Sequence, residues 1–70
     1  MTGDEFDETM KTLHWSDREL AAMLGCNRAL PSQWRTKRRP IPPEVAAWVR
    51  RRVADLRADP APANWRRRAA

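Results

Sequence analysis

Side chains able to make or break bonds are scarce in this chain. It holds one cysteine, Cys26, and one histidine, His14, so neither an intrachain disulfide nor a Cys/His zinc site can form within one copy. With no partner of its own kind, Cys26 reads as a small turn residue rather than a nucleophile, and His14 as a helix-end residue rather than a ligand or an acid–base group. The carboxylates are not clustered for acid–base work, and the two glycines make no phosphate loop. No enzymatic constellation remains, and neither a cofactor, a metal nor a small-molecule ligand is expected.

Cationic chemistry is abundant instead, and it is unevenly placed. Residues 1–27 carry six acids (Asp4, Glu5, Asp7, Glu8, Asp17, Glu19) against Lys11 and Arg18, a net of −4. Residues 28–70 carry twelve bases against Glu44, Asp55 and Asp59, a net of +9, which together give the chain its +5. Eleven of those twelve bases are arginine, whose planar fork suits phosphates and guanine edges. A polyanionic partner follows from this, although an arginine-rich solvated surface would account for the composition alone.

The elements that position these groups are short. Seventy residues allow one domain, and a single core of this size rarely supplies more than about 3–5 kcal/mol, so self-association is the expected supplement. No apolar run is long enough to span a membrane, and the start of the chain is acidic rather than a basic-then-apolar signal; a soluble, cytoplasmic protein is expected. Phe6, Met10 and Leu13 form one helical stripe, with acids at its head where the helix dipole favours them, and predict a helix over 4–13. Ser16-Asp17-Arg18-Glu19 is a capping box that starts a second helix, which Gly25 ends; Trp15 precedes the cap as a staple onto Leu20 or a neighbour. Asn27 can cap a third helix over about 28–36, with Leu30, Pro31 and Trp34 inward and Arg28, Ala29, Ser32, Gln33 and Arg35 on its other faces. After the basic loop Thr36-Lys37-Arg38-Arg39-Pro40, the segment Ile41-Pro42-Pro43-Glu44 opens a fourth helix running to about 58. Val45, Trp48, Val49, Val53 and Leu56 recur along its apolar face, while Arg50, Arg51 and Arg57 read as a solvated one. Residues 59–70 form a Pro/Ala linker and a basic tail, so the folded domain is expected over 1–58. Trp15, Trp34 and Trp48 are core candidates.

Two short helices joined by a tight glycine-containing turn, the second with Arg, Ser and Gln on its outer face, describe a helix-turn-helix. Glu19, Leu20, Ala21, Leu24, Gly25 and Trp34 keep that motif's spacing. The stretch SDRELAAMLGCNRALPSQWRTKRRPIPPEVAAWV resembles the lambda-repressor-like (Xre/Cro) helix-turn-helix family over about residues 6–56, including small autorepressors of phages and mobile elements.

The resemblance implies an all-α, compact four- to five-helix domain that binds double-stranded DNA as a transcriptional regulator, a repressor seated as a homodimer on an inverted repeat. It places the base-reading positions on Arg28, Ala29, Ser32 and Gln33. Arginine can hold guanine O6 and N7, glutamine adenine N6 and N7, serine a base edge or phosphate, and alanine the thymine methyl. The phosphate-gripping positions fall on Asn27, Thr36, Lys37, Arg38 and Arg39. Asp17 departs from the pattern: it stands where many relatives carry a phosphate-binding glutamine, and a carboxylate there repels phosphate. Trp48, Val49, Val53 and Leu56, with Trp65 beyond the linker, are the expected dimer interface. The same core would also serve an antitoxin, with the tail from Pro60 as its toxin-binding segment, or an adaptor that binds protein or RNA.

Overall fold

A computed structural model describes residues 1–63, and its four helices are α1 (Gly3–Leu13), α2 (Asp17–Leu24), α3 (Ala29–Arg35) and α4 (Pro43–Ala58). There is no strand among the described residues. Helix α1 is the hub: it packs on α3 and α4, and α2 packs on α3.

Caps account for where the helices start. The Thr2 hydroxyl accepts the Glu5 amide at 3.0 Å and starts α1 at Gly3, one residue before the acids suggested. Ser16 does the same for α2, its Oγ accepting the Glu19 amide at 3.1 Å, while the return bond expected of the Glu19 carboxylate is not made. Helix α3 is shorter than its expected 28–36, and its length explains how it tolerates Pro31. Asn27 Oδ1 accepts the Ala29 amide at 2.8 Å and the Asn27 carbonyl accepts the Leu30 amide at 3.0 Å. Pro31, third in the helix, has no amide to satisfy, so the unpartnered donors of the first turn are accounted for.

Three consecutive helix ends are built alike. After α1, His14 (φ 58°) donates to the Lys11 carbonyl and Trp15 to that of Met10. After α2, Gly25 (φ 69°) donates to Ala22 and Cys26 to Ala21; after α3, Lys37 (φ 67°) donates to Trp34 and Arg38 to Gln33. This double bond pattern around a left-handed residue closes a helix and turns the chain sharply. His14 is thus a helix-end residue, as its isolation in the sequence suggested.

Phe6, Met10, Leu20 and Trp34 form the core, with Trp15, Leu24, Leu30, Ile41, Val45 and Trp48 packed against it. The Trp34 ring meets Phe6 edge-on at 5.8 Å between centroids, a favoured aromatic geometry. Trp15, packed against the core cluster that holds Leu20, also stacks on Trp48 at 5.4 Å, and so joins the α1–α2 turn to α4. Gly3 lies so close to α3 that a Cβ there would meet the Arg35 carbonyl oxygen and Lys37 Cγ at 2.9 Å and the Trp34 carbonyl oxygen at 3.0 Å.

The acidic head of the chain is not merely a solvated, dipole-favouring run. The Glu5 carboxylate takes a forked pair of bonds from Arg50 at 2.8–3.2 Å, tying α1 to α4, so Arg50 is not part of a free solvated face. Asp4 meets Lys37 at 3.3 Å. Asp7 meets Lys11 at 3.1 Å, and its hydrogen bond and charge, with help from Glu8, hold the Lys11 ammonium above its ordinary pKa.

No helix among the described residues is long and apolar enough to cross a membrane.

Candidate nucleic-acid interface

Helix α3 has one locked face and one open face. Pro31 and Trp34 are buried and Leu30 is half-buried against the core. Around the axis from them, Arg28 and Ala29 are exposed, and Ser32 and Gln33 are half-buried. The four positions expected to read bases therefore all keep access to solvent. Arg28 sits on the last helical-type backbone angles before α3 (φ −62°, ψ −17°) and makes no ion pair with any described residue.

The positions expected to grip phosphate divide into two groups. Arg38 and Arg39 are exposed and unpaired among the described residues, and their amides both point to the Gln33 carbonyl, at 2.8 and 3.3 Å, which seats the loop on the end of α3. Asn27 commits only its Oδ1 to the cap, so its side-chain NH2 stays available as a donor. Lys37 donates one of its three ammonium protons to Asp4. Thr36 is exposed, and in the free chain its hydroxyl proton goes to the Ser32 carbonyl at 2.9 Å, a bond that a phosphate would have to replace. Lys37, Arg38 and Arg39, with Met1, Gly3, Trp34, Pro40 and Ile41, line an open groove of about 340 Å³.

Asp17 does not stand at the head of α2 as a bare negative charge. Arg35 Nη1 donates to its Oδ1 at 2.8 Å, and Arg35 Nε lies 3.9 Å from Asp7 Oδ1. Sequence reasoning missed this residue, having placed it on an outward face; its signal was the excess of acids on the two preceding helices.

The expected dimer interface is corrected in part. Val49 is 0 % exposed, because α1 covers this part of α4, so it cannot touch a second copy. Trp48 is half-buried and engaged with Trp15. Val53 is half-buried and Leu56 is 38 % exposed, so both remain accessible. Trp65 lies outside the described residues, as does the basic run 66–68.

Among the described residues no group of three or more His, Cys, Asp or Glu side chains is arranged to hold a metal ion. Cys26 is a free thiol, half-buried in the turn between α2 and α3. Comparison with protein-family models, curated proteins and solved structures finds no match.

Proposed function

We propose that this chain is a lambda-repressor-like helix-turn-helix protein that binds a specific double-stranded DNA sequence and regulates transcription as a cytoplasmic repressor. In this reading α2 and α3 form the motif and α3 enters the major groove. Arg28 reads guanine, Gln33 reads adenine, Ser32 bonds a base edge and Ala29 contacts a thymine methyl. Asn27, Lys37, Arg38 and Arg39 hold the backbone and set the register. Two copies joined through Val53 and Leu56 would read half-sites about 34–36 Å apart, and occupancy of a promoter would exclude polymerase. The protein then acts by binding alone, without catalysis or cofactor.

One observation carries the reading. The face of α3 that holds Arg28, Ala29, Ser32 and Gln33 is accessible while the opposite face is locked into the core, and arginines without internal counter-ions flank it at both ends. A short polar helix face left open between free guanidinium groups suits a polyanion whose grooves admit a helix.

The test is an electrophoretic shift series on duplexes selected from a randomised pool. Arg28→Ala with Gln33→Ala should remove sequence preference, at about 1–3 kcal/mol per lost bidentate contact, and leave mixed-sequence binding nearly intact. Arg38→Ala with Arg39→Ala should weaken every duplex alike and flatten the salt dependence by about 0.9 log units per lost phosphate contact. Equal affinity of the unmodified chain for all duplexes would overturn the proposal.

A further inference from the structure

Helix α3 cannot hold its own direction. It has seven residues, fewer than an isolated helix needs to persist in water, so its orientation comes from what it touches. Its buried side chains, Pro31 and Trp34, with half-buried Leu30 beside them, form a narrow apolar strip on one side of the helix. So narrow a strip resists translation better than it resists roll. A contact away from the strip adds resistance to roll.

We propose that Arg35 supplies that contact, as a positioning residue whose guanidinium fixes the roll of α3 and with it the aim of Arg28, Ser32 and Gln33. The inference rests on the reading of α3 as a recognition helix. Two different nitrogens of the one rigid plane face two different helices: Nη1 lies 2.8 Å from Asp17 at the start of α2, and Nε lies 3.9 Å from Asp7 of α1. Among the described residues no other side chain of α3 forms ion pairs with both α1 and α2. The contact is also partly sheltered, with the Arg35 side chain 36 % exposed and that of Asp17 25 %. The one guanidinium thus ties α3 to two helices at once. The Asp4–Lys37 pair and the close approach at Gly3 hold the same end of α3, but to α1 alone. Base-reading side chains must be kept within about 0.5 Å and 10–20° of their productive geometry, so a loosened roll costs discrimination before it costs folding.

The rival role for Arg35 is a direct grip on phosphate, and the two roles predict opposite results. Arg35→Lys keeps the charge and loses the fork; Asp17→Asn keeps the shape and removes the principal counter-ion. Each is compared with the unmodified chain on two probes, the duplex it prefers from a randomised pool and a mixed-sequence duplex of equal length, over a salt series. A positioning role predicts that both variants lose about tenfold in preference, while Arg35→Lys leaves mixed-sequence affinity and salt slope unchanged. A phosphate grip predicts that Arg35→Lys and Asp17→Asn both keep preference, and that Arg35→Ala weakens both duplexes equally and flattens the salt slope by about 0.9; that result overturns the proposal. Circular dichroism checks that each variant is folded, and Asp7→Asn, which weakens the longer Arg35 contact along with the exposed Lys11 pair within α1, replaces any that is not, with a smaller loss of preference expected. Preference that persists in the folded variants overturns the positioning role alone. Absence of preference in the unmodified chain overturns the reading of α3 and this inference with it.

Discussion

The two ends of α3 are held very differently. Its last turn is clamped: Trp34 is buried edge-on to Phe6, Gly3 abuts the carbonyls of Trp34 and Arg35, Arg35 reaches Asp7 and Asp17, and Lys37 reaches Asp4. Its first turn is held by the backbone and side chain of Asn27 and by the packing of Leu30 and Pro31, with Arg28 and Ala29 in solvent. A rod clamped at one end can present the other without blocking it. The charge picture does not follow the same division: Arg35 and Lys37 at the clamped end are paired with acids of α1 and α2, whereas Arg38 and Arg39 beside them, like Arg28 at the free end, have no ion pair among the described residues.

Three substitutions break or sharpen that contrast. The largest effect is expected from Trp34→Ala at the clamped end, which removes a 3 % exposed ring from the core and should cost about 3–5 kcal/mol, enough to leave so small a domain largely unfolded in a thermal melt. Next is Gly3→Ala. Alanine favours helix more than glycine does, but its Cβ would lie 2.9 Å from a main-chain oxygen that cannot move without α3, so an unfolding free energy from urea denaturation lowered by about 1–3 kcal/mol is expected. A gain in stability would show that the clamp has slack. The smallest effect is expected at the free end, where Asn27→Ala removes one capping bond and should cost about 1 kcal/mol by the same denaturation measurement. A loss at Asn27 as large as that at Trp34 would erase the contrast.

Much of the helical layout is legible in the sequence because it depends on local chemistry. Ser16 and Gly25 bound α2 as their residue types require, and α4 ends at Ala58 as its apolar stripe and the prolines beyond suggest. The start of α1 was legible too, since Thr2 and Glu5 repeat the Ser16/Glu19 spacing, but the acids nearby masked it. Other features left no local mark. Nothing in composition announces that His14 and Lys37 take left-handed angles, because residues with a Cβ adopt them only when the following chain forces them to. Nor could periodicity separate Val49 from Val53 and Leu56: the three share a stripe, and only tertiary packing decides which of them is covered. The ion pairs that join one helix to another link residues 18 to 45 positions apart, from Asp17–Arg35 to Glu5–Arg50, and spacing along the chain carries no information about them.

If α3 reads DNA as proposed, its brevity limits how much text a single copy can distinguish. Seven residues rising about 1.5 Å each make a rod of roughly 10 Å, which passes about three steps of a duplex stacked at 3.4 Å. With four distinguishable letters per step, a word of that length recurs by chance about once in 64 positions. On the proposed function a lone protomer would find a match many times in any gene, and an address unique within a chromosome would have to be spelled by more than one such rod.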